Sequence, residues 1–553
     1  MDRDASRLDN ASPQRWVLTV ETSGNQAYVF ASNRLRESVG ASHLVLASTT
    51  EWLREALEGG PPNRVLQQAS GKSFVLFEAA PRSAVEGVVR RLTLKALRDA
   101  PGLDLVGAIF PAPAPEASAA PMVDAVLAAN RRVEENLSGL PGAIVRHPRL
   151  PLTAACASTS AGASELMPRP GEGRGAREQM AVSAAVAAKR RVASAGLKAL
   201  RSRVGELEGR TLPRDLGEVE RLFEGDDRLS WLAVVHADAN GLGQAIMNLA
   251  AGQSQADYLD RMRRFSDGVE EAALTALRAG LRSVQPVGDA TTIPALPLIA
   301  AGDDLTVILP GAQALRFVVA YLRAFEQATA TGILGELAPG GRLGACAGIA
   351  IVKPHHPFSD AYALAERLAD SAKQVKRRVI DDGRRAVPCS AFDFHVLYDS
   401  ASNDLSDIRA AGTVDAGATV LHDRPYVVSL PALLGPASAS ARAWAAFHAV
   451  ERLDELRAAL VAPRKDDPTQ RDLPRGQVLA LREMLPRGAG PADRRASIVA
   501  ARTPSIARLL TEGSLFRELP PEDRGERSTA LLDALDVVEL SEDSIVPAEE
   551  VVA

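Results

Sequence analysis

The sequence predicts an α+β protein in which an antiparallel sheet, covered by helices on one face, occurs twice along the chain. The first observation is a recurring order of strand, helices, hairpin, helix and strand, which we read from apolar periodicity. The second is that each copy has an apolar strand leading into a glycine-containing loop, and later a hairpin with glycine near its tip. We interpret this recurrence as an internal duplication.

The first copy is read from short apolar runs, amphipathic stretches and one hairpin signal at Ser70–Ser73. Ser42 is a suitable N-cap residue and marks the start of the second helix. The expected elements are a strand at Trp16–Val20, a helix through about Ser38, a helix from Ser42 to about Leu57, strands at Arg64–Ala69 and Phe74–Ala79, a helix at Arg82–Asp99 and a strand at Leu103–Phe110.

The second copy repeats the order, with the loop Asp238–Gly243 after its first strand and Ala301–Asp304 at its hairpin. The expected elements are a strand at Trp231–Ala237, a short helix, a helix at about Tyr258–Leu281, strands at Leu296–Ala300 and Leu305–Leu309, a helix at Ala312–Thr329, a strand at Ala345–Val352, an amphipathic helix at Ser359–Val379 and a strand at Ala391–Tyr398.

The duplication organises the whole chain. We expect a tail at 1–14, the first copy at 15–150, a linker and helical segment at 151–228, the second copy at 229–400, and a mostly helical C-terminal region with an acidic tail at 401–553. Segments rich in Pro, Gly, Ala and Ser are expected to form loops or linkers. They are Pro111–Pro121, Thr153–Arg177, Gly435–Ala441 and Leu485–Arg494. Helices are expected at Glu178–Val204, Ala443–Val461, Gln477–Met484 and Glu526–Ala534.

Composition excludes several classes of protein. With 64 Lys and Arg against 69 Asp and Glu, the net charge of −5 rules out nucleic-acid binding by bulk charge. No apolar run approaches the ~18 residues of a membrane span, and the N-terminus lacks an apolar signal core, so we expect a cytoplasmic protein. Cys156, Cys346 and Cys389 are too few for a disulfide framework or a four-cysteine zinc site.

Three carboxylates are expected to converge in the second copy. The hairpin tip carries Asp303 and Asp304, and the neighbouring strand ends at Asp238. Gly-Asp-Asp alone is typical of an ordinary turn. Its combination with a third acid predicts a site for Mg²⁺ or Mn²⁺, because hard divalent ions offset carboxylate repulsion and can support phosphoryl transfer as a pair.

Phosphate-binding features surround these acids. Gly302 lets the backbone approach a phosphate closely, and Asn240, Gly241 and Gly243 lie in a loop that opens a helix, whose N-terminus favours anions. Lysine occurs only eight times in the chain, so Lys373 is an informative choice. We therefore favour the interpretation that Lys373 provides a positive charge for a triphosphate over the interpretation that it is a solvated charge on a helix face.

The motifs "HADANGLG", "AGDDLTVILPG" and "AGIAIVKPHHPFSDAYALAERLADSAK" resemble the GGDEF-like nucleotide-cyclase palm of the large, polymerase-like subunit of type III CRISPR effector complexes. The stretch "TSGNQAYVFASNRLRESVGASHLV" is similar to the degenerate first palm of these proteins. The resemblance spans roughly residues 15–400 and implies two ferredoxin-like palm domains. The family's Gly-Gly-Asp-Asp hairpin has Ala301 here in place of its first glycine.

This resemblance implies synthesis of cyclic oligoadenylates from ATP through 3′–5′ bonds, with pyrophosphate release. Asp238, Asp303 and Asp304 would hold two Mg²⁺ ions. A separate group would hold triphosphate: Asn240, Gly241, Gly243, Gly302 and Lys373. Aligning glycines of the two copies puts Glu21 opposite Asp238, and Lys72 and Ser73 opposite the hairpin acids, so the first copy would seat a second nucleotide without a metal centre.

Other interpretations stay open. The protein could be a non-catalytic, nucleotide-binding scaffold of an RNA-guided complex, or a stand-alone cyclase that makes a cyclic dinucleotide. Partners would be nucleoside triphosphates, guide RNA and other CRISPR effector subunits, and no membrane. The family's HD nuclease is not expected, because the first palm starts near residue 15 and His422-Asp423 lacks helical His/Asp partners.

Overall fold

The structure is a computed structural model, and it describes most of the chain. The described residues are 14–69, 71–140, 152–169, 179–223, 231–249, 254–286, 291–398, 404–464, 466–467, 469–501, 503–521, 523 and 525–547. The predicted tail lies almost wholly outside these residues, as does Glu178, the predicted start of the basic helix between the copies.

The first copy forms a four-stranded antiparallel sheet. Its strands are β1 (Gln14–Ser23), β2 (Asn63–Ala69), β3 (Lys72–Ala80) and β4 (Asp104–Pro111), in the spatial order β2-β3-β1-β4. Its helices are α1 (Asn25–Val29), α2 (Leu35–Thr49), α3 (Glu51–Leu57), α4 (Arg82–Asp99) and α5 (Ala119–Ser138). The predicted helix at Arg82–Asp99 is confirmed at both ends.

A smaller unit follows. It contains the two-stranded sheet β5 (Glu165–Pro168) and β6 (Gln179–Val182), and the helices α6 (Ala184–Val204) and α7 (Leu216–Phe223). Helix α6 packs closely on α2: a Cβ at Gly40 would lie 1.9 Å from the carbonyl oxygen of Lys189. The basic helix is therefore partly buried against the first copy.

The second copy has the same four-strand arrangement. Its strands are β7 (Leu232–Asn240), β8 (Leu296–Ala301), β9 (Asp304–Pro310) and β10 (Gly344–Val352). They lie in the order β8-β9-β7-β10, which matches β2-β3-β1-β4 of the first copy strand for strand. Its helices are α8 (Leu242–Asn248), α9 (Gln255–Ser283), α10 (Ala314–Thr329), α11 (Gly332–Leu337), α12 (Phe358–Ala372) and α13 (Val375–Arg378). The predicted α+β fold and the duplication are confirmed.

The C-terminal part contains more strand than predicted. The further strands are β11 (Ala391–Val396), β12 (Thr413–Val414), β13 (Thr419–Val420), β14 (Tyr426–Val427), β15 (Arg517–Glu518) and β16 (Arg527–Ser528). β11 and β14 extend the second sheet beyond β10, whereas the other four form a separate sheet. The helices are α14 (Leu405–Ala411), α15 (Ala439–Phe447), α16 (Val450–Val461), α17 (Arg475–Met484), α18 (Ala489–Ala500) and α19 (Leu531–Leu540).

Several element boundaries were predicted wrongly. Ser42 lies inside α2, where its hydroxyl donates to the carbonyl oxygen of Leu298 in the second sheet instead of capping a helix. The predicted loop Leu485–Arg494 contains the start of α18, whose alanines Ala492 and Ala496 are buried in the core. In both cases a tertiary contact outweighs the local preference that the prediction used.

The two copies share a core. One buried cluster contains Leu18 and Phe77 of the first sheet together with Val234 and Ile308 of the second. Across the same interface, the backbone N–H of Phe358 donates to Asn33 Oδ1 at 2.8 Å. The two copies are therefore held together by packing as well as by polar contacts. None of the described helices combines the length and hydropathy that a bilayer-spanning segment requires.

Candidate active site

The three predicted acids meet where two neighbouring strands end. Strands β7 and β9 are antiparallel, with Ala237 opposite Leu305, so the next pair in this register is Asp238 and Asp304. Asp303 lies in the turn between β8 and β9, beside Gly302, whose φ of 64° is a conformation that favours glycine. All three carboxylates are half-buried. The predicted convergence is therefore present in the fold.

Lys373 completes this acidic site. It lies in a break between α12 and α13, where the sequence predicted one continuous helix through Val379. Its Nζ lies 2.8 Å from Asp238 Oδ2 and 3.2 Å from Asp370 Oδ1. Burial alone would lower the pKa of Lys373. The hydrogen bond to Asp238 and the charge of that acid outweigh this effect and raise the pKa above its usual value, so the side chain stays protonated at neutral pH.

The hairpin acids hold protons more tightly than exposed carboxylates do. Burial, reinforced by the charge of Asp238, raises the pKa of Asp303 to about 6. Burial and the charge of Asp303 raise the pKa of Asp304 to about 7. Both groups therefore need additional positive charge to be fully ionised together at neutral pH.

Carboxylate oxygens that repel one another fit a divalent cation, and the donor set is the one that Mg²⁺ prefers. Within the described part of the chain, no group of three or more His, Cys, Asp or Glu side chains is arranged closely enough to enclose a metal ion. Asp238 instead has the ammonium group of Lys373 as its cationic partner. The three carboxylates are therefore chemically suited to a divalent cation, and Lys373 provides positive charge beside Asp238.

These pKa shifts predict a pH-dependent stability. Because both acids have a raised pKa in the folded state, the folded protein binds more protons than the unfolded chain between about pH 4 and 7, and it loses stability as the pH rises through that range. Without divalent ions, Asp303→Asn/Asp304→Asn is expected to unfold a few degrees higher than the wild type at about pH 8 and nearly equally at about pH 4. Thermal unfolding at several pH values measures this.

Adding Mg²⁺ provides the second arm of this experiment. It should raise the unfolding temperature of the wild type at about pH 8 and leave that of Asp303→Asn/Asp304→Asn unchanged. An equal response of both proteins to Mg²⁺ would contradict a cation site at these acids.

A cavity of about 660 Å³ lies beside the loop that follows β7. The predicted phosphate residues Asn240, Gly241 and Gly243 line it together with Lys376. Gly241 has a φ of 93° and precedes α8, and a Cβ at Gly243 would meet no atom within 4 Å, so the backbone is open to a close approach. The size lies in the range of small-molecule sites. The predicted loop thus lines a cavity that begins two residues after Asp238, while the three acids themselves are not part of its lining.

Asn240 is placed differently from the other loop residues. Its side-chain amide donates to Cys346 Sγ at 2.7 Å and is buried, while its Oδ1 has no hydrogen-bond partner. Burial raises the pKa of Cys346 to about 12, so this thiol is neutral. The side chain of Asn240 therefore secures β7 against β10, and its role towards phosphate remains a prediction.

Two residues near the acids were missed. His236 is buried two positions before Asp238, on the same face of β7, and its Nδ1 has no hydrogen-bond partner. Tyr362 of α12 lies 5.4 Å from the His236 ring and stacks at 4.8 Å on Phe30 of the first copy (centroid distances). The alternation of side chains along a strand could have indicated His236, but no sequence signal indicates the contact with Phe30.

The corresponding position of the first copy is closed by an ion pair. Glu21 is opposite Lys72, and their side chains are 2.7 Å apart. Lys72 begins β3 opposite Ala69, as Asp304 begins β9 opposite Ala301. Lys72 therefore corresponds to Asp304, one residue away from the glycine-based alignment. A cation of the chain itself takes the place of an acid at this position.

Comparison with known proteins supports this picture. Residues 231–380 match the family described as Cas10/Cmr2, second palm domain. A Csm1-Csm4 cassette in complex with cA4 has a similar structure, with a TM-score of 0.55, 12% identity, and coverage of 96% of this chain and 70% of that chain. For the cassette in complex with AMPPNP the TM-score is 0.52 and the identity 13%, and the match covers 96% of this chain and 70% of that chain. For the apo cassette the TM-score is 0.51 and the identity 13%, and the match covers 98% of this chain and 71% of that chain.

The resemblance inferred from the sequence is thereby confirmed: residues 231–380 match the Cas10/Cmr2 second palm family, and the chain has a Cas10-like fold, similar to that in the Csm1-Csm4 cassettes. At 12–13% identity, the structural likeness concerns the fold. A search of curated proteins found no match.

Proposed function

We propose that this Cas10-like chain is a nucleotidyltransferase that joins ATP molecules through 3′–5′ bonds into cyclic oligoadenylates, with release of pyrophosphate, in CRISPR-type antiviral defence. One observation carries the proposal. Asp238, Asp303 and Asp304 meet at the ends of neighbouring strands, and Lys373 contacts Asp238, while the predicted phosphate loop two residues further on lines a cavity. This is the arrangement that phosphoryl transfer needs, because its catalysis consists mainly of positioning and charge neutralisation.

The residues of the chain have separate roles in this proposal. Asp238, Asp303 and Asp304 would hold Mg²⁺, which lowers the pKa of an attacking hydroxyl and neutralises charge on the leaving group. Lys373 keeps its proton and moves its ammonium group from Asp238 to a phosphate oxygen when a nucleotide binds. Gly241 and Gly243 let backbone N–H groups approach the triphosphate in the cavity.

The first palm would seat the second nucleotide. Its hairpin lies close to that of the second palm, because a Cβ at Gly302 would lie 3.9 Å from the Cβ of Ala69. With Glu21 paired to Lys72, the first palm brings no acid pair of its own to the interface. A catalytic centre in the second palm and a nucleotide-binding surface on the first palm would be suited to joining two ATP molecules.

The solved relatives support nucleotide ligands and a partner subunit, since the cassettes contain Csm1 with Csm4 and were solved with cA4 or AMPPNP. We extend this to the present chain and include guide RNA among its partners. Purification of the tagged chain from its host, with identification of bound proteins and RNA, tests the assembly. Recovery of the chain alone would contradict it.

The activity is tested by incubating the purified chain with Mg²⁺ and each nucleoside triphosphate, with and without RNA from the assembly. Mass spectrometry of the products should detect 3′–5′-linked cyclic oligoadenylates with ATP. A cyclic dinucleotide would favour the stand-alone cyclase. Nucleotide binding without any product would favour the scaffold and contradict the synthase.

Lys373 offers a test of nucleotide binding. Lys373→Ala is expected to raise the KM for ATP about tenfold or more, because a charge-assisted contact with phosphate is lost. Lys373→Arg should recover part of the affinity. Lys198→Ala, which removes an exposed lysine from α6, is the control and should leave the KM unchanged. Steady-state kinetics measure all three variants. An unchanged KM in Lys373→Ala would exclude a role in binding phosphate.

A further inference from the structure

A second, larger cavity lies behind the break that carries Lys373. Its volume is about 1150 Å³, and its walls come from α12–α13, from α14 and from C-terminal residues such as His422, Arg424, His448 and Asp523. This exceeds the ~300–1,000 Å³ of typical small-molecule pockets. Lys376 lines both this cavity and the smaller one beside the phosphate loop. The two spaces therefore adjoin at one lysine.

The lining of the large cavity is rich in cations, although the chain has a net charge of −5 and four of these cations form ion pairs with aspartates. Seven Lys or Arg side chains line it, against two Asp. They are Arg367, Lys373, Lys376, Arg377, Arg378, Arg409 and Arg424. Such a surface attracts phosphate groups, and the attraction is strongest where the cations are not already paired.

Three basic side chains of this wall have hydrogen-bond donors without an acceptor among the described residues. Lys376 and Arg377 are exposed and form no ion pair within the described residues. Arg409 is paired through Nη2 to the buried Asp393, but its Nη1 is buried without an acceptor. Lys376 and Arg377 are therefore the exposed cations of this wall that can bind a phosphate group.

The wall is also held in place. His422 Nδ1 lies 2.8 Å from Asp533 Oδ1, and His448 Nε2 lies 3.0 Å from Asp523 Oδ2. Asp523 in turn is 3.3 Å from Arg378. The cavity is thus bounded by side chains fixed by charged partners, which reduces the entropy cost of ordering them around a ligand.

We propose that this basic cavity binds the phosphate backbone of a single-stranded oligonucleotide, the growing product of the neighbouring active site. The volume exceeds that of one small ligand, the wall contains several side chains that can donate hydrogen bonds to phosphate, and Lys376 lines both this cavity and the one beside the phosphate loop. The identity of the ligand as product rests on the proposed function. Binding of the oligonucleotide itself does not require synthesis.

The test is fluorescence anisotropy with a labelled linear hexaadenylate and the full chain, without divalent ions so that no synthesis occurs. Arg377→Glu is expected to raise the Kd about tenfold at low salt, and the difference should shrink as salt is added. The matched control is Arg494→Glu, an exposed arginine of α18 outside this cavity, which should leave the Kd unchanged. Equal affinity of Arg377→Glu and wild type would overturn the proposal.

The same variants separate this proposal from the proposed function. If the chain makes no product but Arg377→Glu weakens binding, the cavity binds oligonucleotides and the synthase is wrong. If the chain makes product and Arg377→Glu binds the probe as tightly as wild type, the synthase stands and the cavity proposal fails. Unfolding temperatures of both variants should equal that of wild type, because both side chains are exposed.

Discussion

Asp303→Ala/Asp304→Ala is expected to lower the rate of phosphodiester formation more than about 100-fold. Loss of a residue that only hydrogen-bonds to a metal ligand already lowers metal affinity or activity ~10–100-fold, and the proposed ligands themselves are removed here. The substitution leaves Asp238 alone, and this last acid is paired with Lys373 at 2.8 Å. Product formation with ATP and Mg²⁺, followed by mass spectrometry, measures the loss. The fold should persist, since burial of the two carboxylates beside Asp238 raises their pKa and disfavours their charged forms.

The first palm supplies the matched control for this result. Glu21→Ala removes a carboxylate from the corresponding strand end, but that carboxylate is already paired with Lys72. We expect this variant to retain its catalytic rate within about threefold, at most with a higher KM for ATP. If Glu21→Ala abolished the product while the double variant of the second palm retained it, the catalytic centre would have been assigned to the wrong copy.

The second large effect concerns stability and arises where α12 packs on β10. A Cβ at Gly348 would lie 1.9 Å from the carbonyl oxygen of Ala365 and 2.4 Å from the backbone nitrogen of Ala369. Both are backbone atoms, so the whole helix would have to shift. Gly348→Ala is therefore expected to lower the free energy of unfolding by about 1–3 kcal/mol, the usual cost of overpacking a core. Denaturant unfolding measures it.

Gly348→Ala should also impair catalysis, since α12 ends directly before Lys373 and contains Tyr362. The control is Gly476→Ala in α17, where a Cβ would meet no atom within 4 Å. That change should raise the free energy of unfolding slightly, because alanine restricts the unfolded chain. Equal stability of the two variants would contradict the close packing of α12 on β10.

Much of the fold could be predicted because periodicity and turn residues are local signals. Arg82–Asp99 was predicted to the residue, and both hairpins were placed from their turn residues. The prediction failed where a tertiary contact acts, as at Ser42, which bonds to a distant carbonyl group. It also failed in the C-terminal region, where strands of two residues pair only after their partners have been brought together.

The amino-acid sequence alone determined the duplicated α+β order and predicted the convergence of Asp238, Asp303 and Asp304 and a position for Lys373 close to them. These follow from residue type, from periodicity within each element and from the repeated order of the elements along the chain. Only the tertiary structure decided that α12 breaks so that Lys373 contacts Asp238, that Lys72 pairs with Glu21 in the first copy, and that a cation-rich cavity adjoins the candidate active site. Those features depend on contacts between elements far apart in the chain, which no local pattern encodes.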